Sequence, residues 1–248
     1  MKRVPESPWI VPDETGWRIG GHGAWLHVAV GQDAVAYLVG KRGLETSMVL
    51  IGKQYAGKLI HDGWAPYDQF YRAVHQTCLG HLLERCREIL ETATGGAVLF
   101  PRRVQALLQE SLEIRDQRDH NALTPAAACA QADALDARMD QLLHWTKSNA
   151  INERFAKHLA KHRRQWFTFL RHQGIDATNH LAEQAIRPAV VNRKVWGGNR
   201  TAVGAVAQAV LMTVLFTARR NAYSALELLS RQLRSPQVLS PPLPAPSG

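Results

Sequence analysis

Cysteine is scarce in this chain: Cys78, Cys86 and Cys129 are the only three in 248 residues. So few thiols exclude a disulfide-stapled scaffold and suit a reducing compartment. No uninterrupted apolar run reaches the roughly 20 residues of a membrane helix. The opening MKRVPESPWIVPDETG has basic residues but lacks the apolar stretch of a secretory signal. Acidic residues are in short supply too, with 21 Asp and Glu against 30 Lys and Arg, for a net charge of +9 and a pI near 9.8. Such an excess favours a polyanionic partner, either nucleic acid or an anionic membrane surface. A merely basic soluble protein is the plain alternative. The basic residues fall in clusters at 157–164 (KHLAKHRR), 193–194 and 219–220 rather than in one tail, so the charge belongs to a folded surface.

Apolar residues make up 46% of the chain and charged residues 21%, which is enough to build a packed core. The first 75 residues are β-rich. Residues 24–30 (AWLHVAV) and 34–39 (AVAYLV) flank Gly31-Gln32-Asp33 and predict a hairpin. Short strands are expected at 9–11 and at 58–61 (KLIH), with a helix over 43–51. From Gly80 the apolar spacing changes to 3.6, and Leu82, Leu83, Cys86, Ile89 and Leu90 fall on one side of a helix. Further helices are expected over 101–118, 125–145, 151–170 and 205–233. A Pro- and Ser-rich tail, 235–248, reads as disordered.

Two aspartates follow strands. Asp13 comes after 9–11, and Asp62 comes after 58–61. Carboxylates at strand ends point into the crevice where α/β proteins keep their sites. Asp62-Gly63 alone is more often a turn, with the Asp capping its own backbone. The third acid lies in TNHLAEQAIR (178–187), where Thr178 or Asn179 caps a helix. One helical face then carries Leu181, Ala182, Ala185 and Ile186, and the opposite face carries His180, Glu183 and Arg187. Glu183 and Arg187 are four apart and form at least a surface ion-pair spacing. Pro188 is expected to end or kink this helix. Three convergent carboxylates would suit Mg²⁺ or Mn²⁺, and two such ions suit phosphoryl transfer.

The segments DETGWRIGGHGAWLHVAV, KLIHDGWAPYD, QTCLGHLLER and TNHLAEQAIRPAVVNRKVWGGNRTAVGA resemble the catalytic region of bacterial transposases of the insertion-sequence-66 family, from about Pro8 to Leu233. The resemblance implies an α/β, ribonuclease-H-like mixed sheet with flanking helices, interrupted by an all-helical insertion. It divides the chain into a first catalytic part (1–95), the insertion (96–175), a C-terminal catalytic part carrying the Glu (176–234) and the tail. It implies a catalytic and metal-binding triad of Asp13, Asp62 and Glu183 with two Mg²⁺ or Mn²⁺ ions. The reaction implied is cleavage at transposon ends followed by attack of the freed 3′-hydroxyl on target DNA.

Asn179, Arg187, Arg193, Lys194, Asn199 and Arg200 match family positions implied to touch DNA phosphates, with solvated basic surface as the alternative. Cys78 and His81 match a Cys-x-x-His pair. Two ligands are too few for a structural zinc, so packing that positions the segment is the preferred reading, with metal ligation as the alternative. Only twelve residues precede Asp13, so the amino-terminal end-recognition segments of such enzymes are expected to be missing. The implied partners are double-stranded DNA, further copies of the chain in the active complex and accessory proteins of the element, with no membrane. The implied location is the bacterial cytoplasm. A silent remnant that binds DNA or modulates a full-length copy, and a nuclease on the same fold, remain open.

Overall fold

The computed structural model describes residues 3–147 and 149–234, and the expected tail at 235–248 lies outside them. The chain divides into two compact units, Met1–Gly57 with His180–Gly248, and Lys58–Asn179. Five strands, three antiparallel and two parallel, with flanking helices make the described chain mixed α/β.

The first unit opens with an antiparallel meander of β1 (Trp9–Ile19), β2 (His22–Gly31) and β3 (Val35–Gly40). Gly20 and Gly21, at φ +57° and +83°, form a two-residue turn that only glycine takes without strain. The β2–β3 hairpin forms where expected. β1, however, is far longer than the expected 9–11 strand, so Asp13 lies inside a strand and not after one. The polar run Asp13-Glu14-Thr15 reads as a strand end, yet its pairing with β2 continues to the glycine turn and overrides that local signal. Helix α1 (Leu44–Ile51) follows.

In the second unit, β4 (Lys58–His61) pairs in parallel with β5 (Val74–Thr77). β5 was not expected, because VHQT has no apolar alternation to reveal it. Helix α2 (Leu79–Thr92) buries Leu82, Cys86 and Ile89, the face its spacing predicts. Next come α3 (Leu99–Asp119), α4 (Pro125–His144), α5 (Ala150–Lys161) and α6 (Thr168–Arg171). Thr124 caps α4 by accepting from the Ala127 amide, and Asn149 caps α5 by accepting from the Asn152 amide.

The single helix expected over 151–170 is broken at Lys161. The segment after it leaves the helix to meet β5: the Thr77 amide donates to the Gln165 carbonyl (3.1 Å), and Trp166, Phe167 and Phe169 are buried in the core. Burial of three large aromatics outweighs continuation of one helix. Gln76, also buried, donates to the Thr77 and Trp166 carbonyls and accepts from the Phe169 amide.

The first unit resumes with α7 (His180–Trp196), α8 (Ala202–Arg220) and α9 (Ala225–Arg234). Helix α7 runs through Pro188 and does not end there. The proline has no amide to donate towards Gln184, but both residues are exposed, so that carbonyl is left to solvent. The long helical stretch expected over 205–233 is likewise two helices, parted at Asn221 and Ala222, the latter at φ +56°. By length and composition α8 is apolar enough to cross a membrane. In this fold its threonines serve the edge of β3: Thr217 Oγ accepts from the Val35 amide (3.0 Å) and donates to the Val35 carbonyl (2.9 Å), and Thr213 Oγ accepts from the Tyr37 amide (3.0 Å). These hydroxyls cover a strand edge that would otherwise offer free backbone groups.

Candidate active site and nucleic-acid surface

Asp13, Val28 and Tyr37 stand opposite one another across β1, β2 and β3, so their side chains share one face of the meander. Helix α7 lies on that face. The Tyr37 hydroxyl donates to the Ala185 carbonyl (2.7 Å), and Arg193 donates to Thr15 Oγ (3.2 Å) and to the Gly16 carbonyl. Ala182, Ala185 and Ala189 form the buried side of α7 and, being small, let its backbone approach the strands. Glu183 and Arg187 are on the exposed side, as their spacing predicts. The structure thus brings into one unit the strand carrying Asp13 and the helix carrying Glu183. Asp13 Oδ1 accepts from the Glu14 amide (2.9 Å).

Asp62 belongs to the second unit, directly after β4. Its Oδ1 accepts from the Trp64 amide (2.8 Å), the turn that Asp-Gly predicts, with Gly63 at φ +91°. Behind it runs a chain of neutral histidines that sequence reasoning missed. His75 Nε2 lies 3.1 Å from the Phe70 carbonyl and must donate to it, so His75 Nδ1 is an acceptor. His61 Nε2 therefore donates to His75 Nδ1 (2.9 Å), which leaves His61 Nδ1 to accept from the Gly63 amide (3.0 Å). Burial, together with the neighbouring His75, His162 and Lys161, holds His61 well below the usual histidine range. Burial also lowers His75, and it brings His158 down to about 4 with help from His162, Arg85 and Lys161. The only sequence signal was a histidine ending an apolar strand, KLIH, and polar residues carry no weight in a hydrophobic pattern.

A cleft of about 280 Å³ opens beside Asp62, lined also by Cys78, His81, Glu84, Glu88 and His158. Cys78 is buried, and its amide donates to the His61 carbonyl (2.7 Å), which ties the start of α2 to the end of β4. His81, one turn on, is exposed. Among the described residues, no group of three or more His, Cys, Asp and Glu side chains is arranged to hold a metal ion. The donors of the expected triad are nonetheless all hard oxygens, the type that Mg²⁺ takes.

The basic residues are unevenly shared. The first unit has 14 Lys and Arg against 7 Asp and Glu, so it carries +7 of the chain's +9. No acidic residue occurs between Gln184 and Leu226, or between Thr15 and Gln32. Arg187, Lys194 and Arg200 are exposed, whereas Arg193 is engaged by β1. Asn199 is held in the fold: its Oδ1 accepts from Trp17 Nε1 (2.7 Å) and its Nδ2 donates to Gln208 (2.8 Å). Asn179 is 1% exposed, with no hydrogen-bond partner for its side-chain amide.

The model of the family described as "Transposase IS66 family" matches residues 1–207. The chain belongs to the IS66 transposase family. No curated protein and no solved structure matches it. IS66 membership gives it a transposition-related function and makes DNA the substrate class. The matched span covers both units as far as the first turns of α8, and so includes Asp13, Asp62 and Glu183.

Proposed function

We propose that this chain is the catalytic region of an IS66-family transposase that cuts DNA at insertion-sequence ends and joins the freed strands to target DNA. Its acidic set is Asp13, Asp62 and Glu183 on a ribonuclease-H-like core, with residues 96–175 as the helical insertion. The family match across 1–207, which spans all three acids, carries this reading. The packing of α7 on the face that bears Asp13 supports it, and so does the position of Asp62 at the carboxyl end of β4.

The three carboxylates would hold Mg²⁺ or Mn²⁺, which when bound activate the attacking oxygen and stabilise the leaving one. The chain's own residues do the rest. Glu183 is exposed on α7, where a substrate strand reaches it. The turn at Asp62 and the histidine chain behind it fix that carboxylate's backbone. Arg187, Lys194 and Arg200 bind phosphates and set the register of the duplex without reading its sequence. The packed Arg193 and Asn199 orient the segment that carries these residues, and Asn179 stands buried just before it. Cys78 and His81 position the start of α2. Several copies, with accessory proteins of the element, assemble on two DNA ends in the bacterial cytoplasm.

The test is Mn²⁺-dependent nicking of supercoiled plasmid by the chain, beside Asp13→Asn, Asp62→Asn and Glu183→Gln prepared identically. Each substitution is expected to cut the rate at least 100-fold while DNA affinity is kept. Wild-type rates in any of the three would remove that residue from the set. Joined strands identify a transferase, and nicked or linear products alone identify a nuclease. An inert wild-type chain that binds DNA would point to a silent remnant.

A further inference from the structure

We infer that Trp196 is a stacking platform for an unpaired nucleobase, held at the rim of the basic face of the first unit. The inference rests on the DNA-binding reading of that face and adds a ligand that phosphate contacts do not require.

Trp196 is the last residue of α7 and is 58% exposed, and Val195 and Val203 beside the turn are each 80% exposed. Helix ends commonly fray. This turn, by contrast, is fastened down. Gly197 and Gly198 have φ of +81° and +121°, and a Cβ on Gly198 would fall 2.4 Å from the Arg18 carbonyl, so the backbone sits directly on β1. The Asn199 amide donates to the Arg18 carbonyl (2.9 Å), and the Gly20 amide donates to the Asn199 carbonyl (2.8 Å). The Trp17 side chain clamps the same turn at Asn199, and Arg193 ties the end of α7 to β1. The backbone just after the indole is therefore held in place, which spares part of the ordering cost of binding.

The surroundings select the partner. Arg18, His22, Lys194 and Arg200 are exposed near the turn, within two segments that contain no acidic residue. A second copy of this face would be repelled by like charge. A polyanion would be attracted. A cleft of about 400 Å³ opens at Gly197, the residue after Trp196, and is lined also by Gly16, Trp17, Arg18 and Arg193; the exposed Arg18 offers a cation to the phosphate of a splayed nucleotide. Bases present an aromatic face only when unpaired or unstacked, and any base can stack on an indole. The ligand class is thus a nucleotide displaced from the duplex, such as one at a distorted or freshly cut end.

The experiment measures fluorescence anisotropy of labelled 30-mer DNA with the full chain. The DNAs are a fully paired duplex, the same duplex with a three-nucleotide bulge, and that bulge made abasic. Wild type is expected to prefer the bulge to the paired duplex, and to lose the preference when the bulge is abasic. Trp196→Ala should weaken bulge binding about tenfold, the scale of one base–aromatic stack, and change duplex binding less than twofold. Trp196→Phe should retain most of the preference. Wild type showing no preference, or Trp196→Ala keeping it at an unchanged melting temperature, overturns the inference while leaving duplex binding intact. Failure of wild type to bind any of the three DNAs at low salt overturns the DNA-binding reading itself. Binding to phosphatidylglycerol vesicles that depends on Trp196, without a bulge preference, overturns the inference in favour of a membrane surface.

Discussion

His27, in the middle of β2, is 2% exposed and keeps one polar contact, donating from Nε2 to the Lys41 carbonyl (3.0 Å). Burial drives its pKa down to about 4, against the pull of that hydrogen bond, and Arg42 lowers it further. In the unfolded chain it titrates near 6.5, so between those values the unfolded state takes a proton that the folded state refuses. Its contribution is complete above about pH 6.5 and is lost as the pH falls towards 4, to the extent of about 3 kcal/mol. Denaturant unfolding at pH 7.5 and 4.5 should show this loss, and His27→Gln should make the pH dependence shallower. His158 adds a loss in the same direction and should persist in that variant. An unchanged slope in His27→Gln would mean that the ring is hydrated in solution. At this scale the sequence is informative about chemistry and poor about company. Asp62 was recognisable, as was the turn it makes, but the neutral histidines behind it were not, since their pairing joins residues 14 apart across two strands.

At the scale of elements, periodicity located most helices, and it failed where tertiary contacts overrode it. Strand β1 continues past Asp13 because β2 pairs with it. Helix α7 passes Pro188 because the missing hydrogen bond falls on the solvent side. The helix after Asn149 stops because Gln165 and three aromatics belong to the core at β5. The threonines of α8 are a fourth case: in a helical pattern they count only as polar breaks, yet they close the edge of β3. Thr217→Val removes both bonds to Val35 and leaves a buried amide and carbonyl unmet, so it should cost about 2–3 kcal/mol. Thr217→Ser should cost less than half of that. Urea unfolding of the two variants measures the difference, and equal losses would assign the effect to packing of the methyl group instead.

At the scale of the whole molecule, +7 of the +9 charge lies in one unit. Nucleic-acid affinity should therefore depend on salt through that unit. Lys194→Ala and Arg200→Ala should each reduce the slope of log affinity against log salt by about 1. Arg102→Ala in α3 of the other unit should leave it unchanged. Equal effects from all three would spread the contact over both units. Overall net charge was legible from composition, but its division was not, because the basic unit is assembled from the two ends of the chain.

That division of the chain also has a consequence in time. Residues 1–57 leave the ribosome ahead of the other unit, but the helices that complete their own unit begin at His180. The 122 residues of the other unit must be made in between. At about 5–20 residues per second, that is a wait of roughly 6–25 s. Throughout it the Val35 and Tyr37 amides at the edge of β3 have no threonine to meet. For that interval the nascent meander offers an open edge to any neighbouring chain, and crowding on a shared message is where its misassembly would begin.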